Sequence, residues 1–183
     1  TDPIFMALKD TVSRFNVPRE HLDDLISGME DDLYTNRYRT FDDLYKYCYR
    51  VASTVGLVCI EIYDYDDPMA AKYAESWGIF MQMTNILRDV SEDAGRNRVY
   101  LPLDDLERHG IKPSELSGDL ANDKRWHAFS AEFIEKIESY HEKALKLLPL
   151  LNRKARYSPA AMIAFYDKIL RQIEKQQGDV FTK

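Results

Sequence analysis

The chain has 183 residues, enough for one domain, and its 45% apolar content suffices for a sizeable core. A formal charge of -6 and a pI near 5.3 offer no basic stripe for neutralising phosphates, which excludes a nucleic-acid partner; an anionic substrate would need local cations or a bound metal. No stretch approaches the roughly 20 uninterrupted apolar residues of a membrane span, and Cys48 and Cys59 each lie in an apolar run, outside any CxxC arrangement. They read as small buried hydrophobes in a reducing compartment, so the expected location is cytoplasmic or at a membrane periphery. The start at Thr1, with neither initiator Met nor signal peptide, reads as a trimmed chain.

Apolar residues recur at three- and four-residue spacing and strand signals are weak, which predicts an all-α chain, a single helical domain over residues 1–183. Proline and glycine punctuation at Pro18, Pro68, Pro102, Gly110, Pro113, Gly118, Pro159 and Gly178 divides it into about six helices. The first two, near 4–15 and 19–35, are amphipathic, with Ile4, Phe5, Leu8, Val12 and Phe15 forming a packing face. The third, from about Phe41 to Tyr63, is made apolar by Leu44, Cys48, Val51, Ala52, Val55, Gly56, Cys59 and Ile62, with small residues at its middle, and belongs in the interior. The fourth covers about Pro68 to Glu92, capped by Asp66 and Asp67, and a charged, glycine-containing loop follows. The last two run from about Asp123 to Leu148, with Trp126, Phe129, Phe133, Ile137 and Leu147 inward, and from Pro159 to Gln177.

Placed at the helical step of about 100 degrees per residue, Gly78, Gln82, Asn85, Asp89 and Asp93 fall within roughly 80 degrees of one another. Ile79, Met83, Ile86, Leu87 and Val90 fill the adjoining apolar sector. Two carboxylates one turn apart have Cβ atoms about 5–6 Å apart and repel by a few tenths of a kcal/mol. Magnesium removes that repulsion, taking one or two protein carboxylates and completing its shell with water and substrate phosphate. Asn85 adds a neutral oxygen one turn earlier, and Arg88 and Arg98 flank the pair as phosphate donors. A DxxxD pair on a solvated helix face is common, but such a face would carry Lys and Glu where this one continues through Gln82 and Gly78. The doublets Asp23-Asp24, Asp31-Asp32, Asp42-Asp43 and Asp66-Asp67 have no acidic partner four residues on and read as surface or capping residues. In the third helix, Ala52, Val55 and Gly56 leave space for close helix packing or for the wall of a tunnel; Tyr47 and Tyr166 either face that space or are plain core tyrosines.

The runs Tyr47-Cys-Tyr-Arg-Val-Ala-Ser-Thr-Val-Gly56, Gln82-Met-Thr-Asn-Ile-Leu-Arg-Asp-Val-Ser-Glu-Asp93 and Arg98-Val-Tyr-Leu-Pro102 together resemble squalene/phytoene synthases, in matching order and separation. The resemblance implies an isoprenoid-synthase helical bundle around a central cavity, and the head-to-head condensation of two isoprenyl diphosphates through a cyclopropylcarbinyl diphosphate. It implies Asn85, Asp89 and Asp93 as magnesium ligands, with Asp89, Asp93 and Tyr47 in the catalytic group. Gln82, Arg88 and Tyr166 would contact substrate, and Val51, Ala52, Val55, Gly56 and Gly78 would line the tunnel. Arg98 and Tyr100 would close over diphosphate. The wording Arg-Asp-Val-x-Glu-Asp favours phytoene from geranylgeranyl diphosphate over squalene or dehydrosqualene from farnesyl diphosphate; NADPH would enter only for squalene. Oily products imply membrane contact for such an enzyme, although the sequence offers no anchor, and nothing in it fixes the oligomeric state.

The family's first acidic motif precedes anything like the Phe41–Tyr63 helix, and no DxxxD does so here, so about a third of a typical member is missing and the chain alone is expected to be inactive. Ser53 stands where glycine is common. A non-catalytic relative serving as an assembly module is the competing reading; its mark would be degraded acidic motifs, whereas Asn85, Asp89 and Asp93 are intact. A terpene cyclase would call for a DDxxD motif, which is not found.

Overall fold

The computed structural model describes residues 2–182. Among these the regular elements are helical, and two isolated bridge pairs, Arg37 with Val99 and Tyr65 with Leu151, are the extended contacts. Helix α1 (Pro3–Phe15) starts on Asp2, whose carboxylate accepts the Ile4 N–H, with Pro3 in the first turn where no donor is needed. Its apolar face does not pack as the sequence suggests: none of its residues is buried, and Ile4 is 74% and Phe5 66% exposed. Amphipathic spacing marks a face that wants a cover without saying what covers it.

Helix α2 (Arg19–Tyr34) leads through an extended stretch to α3 (Phe41–Cys48), which opens on a reciprocal capping box between Thr40 and Asp43. The expected Phe41–Tyr63 helix is continuous but not regular: Tyr49–Ser53 form a π-helical turn before α4 (Thr54–Tyr63) resumes. Nor is it wholly interior, since Val55 is 42% and Ile62 39% exposed. The central α5 (Met69–Arg88) touches α8, α9, α4, α3 and the π turn. Two glycines let the neighbours close on that turn. A Cβ on Gly78 would lie 2.4 Å from the Ser53 Cα, and one on Gly28 would lie 2.7 Å from the Arg50 Cβ.

The regular helix expected to run to Glu92 breaks at Asp89, whose backbone (φ -100, ψ 10) leaves helical geometry before α6 (Val90–Gly95). The following loop holds α7 (Leu103–Arg108) and a 3-10 turn (Pro113–Glu115) that sequence punctuation hid, and with them the described residues form nine α-helices rather than about six. Helix α8 (Lys124–Leu145) supplies the aromatic core: Trp126 stacks on Phe129 at 5.4 Å and Phe129 on Phe133 at 5.8 Å. The Trp126 Nε1 donates to the Gly178 carbonyl at 2.7 Å, tying down the chain after α9 (Tyr157–Lys175). Of the two cysteines, Cys48 is buried and Cys59 only partly so, beside a cavity.

Candidate active site: an apolar cavity and an acidic stripe

Between the π turn, α4, α5 and α9 lies a cavity of about 210 Å³. It brings together Val51, Ala52, Val55, Gly56, Gly78, Gln82 and Asn85, seven residues that the sequence pattern assigns to one site. Val51 and Ala52, in the π turn, lie four positions before Val55 and Gly56, the spacing that puts side chains on one helix face, and all four line this space. The alternatives of tunnel wall and close packing are both realised at Gly56, which lines the cavity and whose added Cβ would meet the Ala74 carbonyl at 2.9 Å. Cys59, Tyr63, Trp77, Met81 and Met162 complete the wall. They escape the sequence reading because an apolar residue facing a cavity has the same periodicity as one facing a core.

Asn85 closes the cavity at its polar end. Its Oδ1 is buried and makes no hydrogen bond, an unsatisfied state that a protein rarely keeps without a use for it. One turn on, Asp89 keeps the helical ladder on both sides: its N–H reaches the Asn85 carbonyl and its carbonyl accepts the Asp93 N–H, each at 2.9 Å. The carboxyl of Asp93 is held above the usual carboxylate range by burial and next by Asp89, with Arg96 and Arg98 pulling the other way. An amide oxygen and two carboxylates on successive turns suit magnesium, which uses few protein carboxylates and leaves room for phosphate. Among the described residues no three His, Cys, Asp or Glu side chains converge into an all-protein cage. Arg88 covers Asp89 instead of facing the cavity, its Nε and Nη2 donating to the two carboxylate oxygens at 2.8 and 2.6 Å. This adjacent pair falls where the backbone angles at Asp89 depart from those of a regular helix.

Tyr47, Arg98 and Tyr100 do not line the apolar cavity. They form a second cluster with Tyr38, in which Tyr100 lies 5.1 Å from Tyr47 and 5.7 Å from Tyr38 between ring centroids. Tyr47 is 5% exposed; burial first, and hydrogen bonding to Tyr100 next, push its pKa up and keep its hydroxyl protonated. The cluster is anchored by Asp32 of α2. The Tyr100 hydroxyl donates to Asp32 Oδ1 at 2.9 Å, and Arg98 donates to Asp32 Oδ2 at 3.3 Å and to the Asp32 carbonyl at 3.1 Å. Asp32 is therefore not the surface or capping residue that its doublet suggests, whereas Asp43 and Asp67 do serve helix starts, their carboxylates accepting the Thr40 and Met69 N–H groups. The Arg98 N–H also donates to the Asp93 carbonyl at 2.8 Å, which sets this cluster beside the acidic stripe. Tyr166, another expected cavity residue, instead lies with its ring edge-on to Phe80, 6.3 Å between centroids, and Met162 one turn earlier takes the place at the wall.

An all-helical fold with an apolar cavity, and an Asn85, Asp89, Asp93 stripe that starts from the cavity wall, defines the class, and the comparisons with known proteins make it specific. The family model described as squalene/phytoene synthase matches residues 1–183. The chain belongs to the squalene/phytoene synthase family. It is 39% identical to "Phytoene synthase 2, chloroplastic" of Solanum lycopersicum over 188 residues, covering all of this chain and 60% of the relative. With "15-cis-phytoene synthase" of Synechococcus elongatus it shares 37% identity, covering 63% of that protein. A dehydrosqualene synthase crystallised with a ligand superposes with a TM-score of 0.91 at 28% identity, over 100% of this chain and 64% of the other. The squalene synthase HpnC of Alicyclobacillus acidocaldarius gives a TM-score of 0.90 at 25% identity, over 97% and 67%. The chain thus spans about 60% of the tomato relative it matches.

Proposed function

We propose that the protein containing this chain condenses two isoprenyl diphosphates head to head through a cyclopropylcarbinyl diphosphate, with geranylgeranyl diphosphate and phytoene as substrate and product. The observation that carries this reading is the buried, unpartnered Oδ1 of Asn85, which lines the apolar cavity and stands four and eight positions before Asp89 and Asp93. Asn85, Asp89 and Asp93 would hold magnesium, which when bound neutralises charge on the departing diphosphate. Arg88, paired with Asp89, and Arg98, paired with Asp32, offer charge-assisted donors for the same group. The walls from Val51 to Met162 accept the isoprenoid chain and exclude water from a carbocation, and Gln82 sits at the boundary between tail and head. Tyr47, held protonated, presents a neutral hydroxyl rather than a phenolate. The relatives' names support the C40 product over the C30 ones. Among the described residues no helix is long and apolar enough to cross a membrane.

The test is to supply the intact protein with magnesium and either geranylgeranyl or farnesyl diphosphate and to analyse the hydrocarbons formed. Phytoene from the C20 substrate, lost on Asp89→Asn, is the expected result. A folded, magnesium-supplied protein that releases no hydrocarbon from either would favour the non-catalytic assembly module.

A further inference from the structure

We infer that Asp32 is a positioning residue for diphosphate, acting through Arg98; this rests on the reading of the acidic stripe proposed above. Asp32 lies on α2, 66 positions before Arg98, and its side chain is 28% exposed. It engages its partners through three separate oxygens: Oδ2 and the backbone carbonyl accept from the two terminal nitrogens of Arg98, and Oδ1 accepts from Tyr100. Arg98 Nη1 also reaches the Tyr100 hydroxyl at 3.3 Å. Three of the five N–H groups of a guanidinium are thus engaged, and the others remain on a side chain that is 40% exposed.

A flexible arginine following a helix would ordinarily sample many rotamers, and a guanidinium fixed in one plane loses less entropy when it meets a planar or multidentate anion. Asp32 supplies that fixation from a different helix. The segment it holds is the one that returns from the acidic stripe, through the bond from the Arg98 N–H to the Asp93 carbonyl. Its neighbour in the doublet, Asp31, is engaged elsewhere, with Arg50 at 2.6 Å, so the two acids are not interchangeable. The same carboxylate fixes the hydroxyl of Tyr100, on which the Tyr47 ring stacks, so one side chain orders a phosphate donor and the tyrosine pair beside it.

The experiment measures binding of inorganic diphosphate with magnesium to the intact protein by calorimetry, alongside the thermal midpoint, for wild type, Asp32→Asn, Arg98→Gln and the double variant. The expected result is that Asp32→Asn binds about tenfold more weakly, near the loss from one charge-assisted donor, with a thermal midpoint close to wild type. Arg98→Gln should lose a similar factor, and the double variant no more than either single one, because the two act as a unit. Asp32→Glu keeps both acceptor oxygens on a longer arm and should lie between; should Asp32→Asn fail to fold, Asp32→Glu decides, a weakened affinity at unchanged stability supporting the role. Wild-type affinity in a folded Asp32 variant, or losses that add in the double variant, would overturn the positioning role while leaving the reading of the stripe intact. Wild-type protein without affinity for magnesium diphosphate would overturn both.

Discussion

The two flanks of α5 are both enclosed, yet they are built to different rules. Toward α8 the helix packs as a dry seam, with Phe80 stacked on His141 at 4.7 Å, and the buried hydroxyls of Ser76 and Thr84 are satisfied by carbonyls of the same helix at 3.0 and 2.7 Å. Toward the cavity, Asn85 Oδ1 and Trp77 Nε1 are buried without partners. An unsatisfied buried polar atom costs about 1–3 kcal/mol, so the first flank is satisfied within the chain and the second carries that cost. One helix thus carries a self-satisfied flank and an unsatisfied one.

Substitutions can break or sharpen this contrast. The largest effect is expected in the aromatic seam: Phe133→Ala, at a side chain 1% exposed, should cost about 3–5 kcal/mol by chemical denaturation. Gly78→Ala comes next. In an exposed helix that change would stabilise by about 0.5–1 kcal/mol, but here the new methyl meets the Ser53 and Ala52 backbone at 2.4–2.6 Å. A net loss of about 1–3 kcal/mol is therefore expected, and a gain would show that α5 does not approach the π turn so closely.

Asp93→Asn should separate site from scaffold. Its raised carboxyl pKa means that the ionised form weakens the fold, so stability contributed by this residue increases as the pH falls through that raised value. The variant should be more stable at neutral pH by a few tenths of a kcal/mol while losing magnesium-dependent diphosphate affinity more than about tenfold. The smallest effect lies on the surface at the meeting of α7 and α8, where Arg108 first and His109 next hold the Glu132 carboxyl of α8 down at about 2 against an ordinary 4.5. Its contribution is complete above pH 4.5 and disappears as the pH falls toward 2, so Glu132→Gln should flatten that part of a stability-versus-pH curve. Solvent screening of a side chain 35% exposed keeps the amplitude small.

Local patterns carried most of the cavity and the acidic stripe. Gln82, Asn85, Asp89 and Asp93 share one helical face by arithmetic alone, and the small residues at Ala52 and Gly56 signalled that something approaches there. The break at Asp89 was illegible because no proline or glycine marks it, and it comes with the contact between the Arg88 and Asp89 side chains. Tyr47 and Tyr166 matched the motif in type but not in neighbourhood: the first is enclosed by Tyr38 and Tyr100, the second lies edge-on to Phe80. The role of Asp32 could not be read from spacing, since its partners lie more than 60 positions away.

By itself, the sequence determined the helical class, the burial of Trp126, Phe129 and Phe133, and the family through its three runs. These depend on periodicity and residue order, which are local properties of a helix. Tertiary structure alone decided that the π turn faces α5 across Gly78, that Asn85 is left unpartnered and that Arg98 is held by α2. Such choices depend on which helices meet and at what depth, and a carboxylate's meaning changes from surface solvation to guanidinium anchor only when a distant segment folds over it.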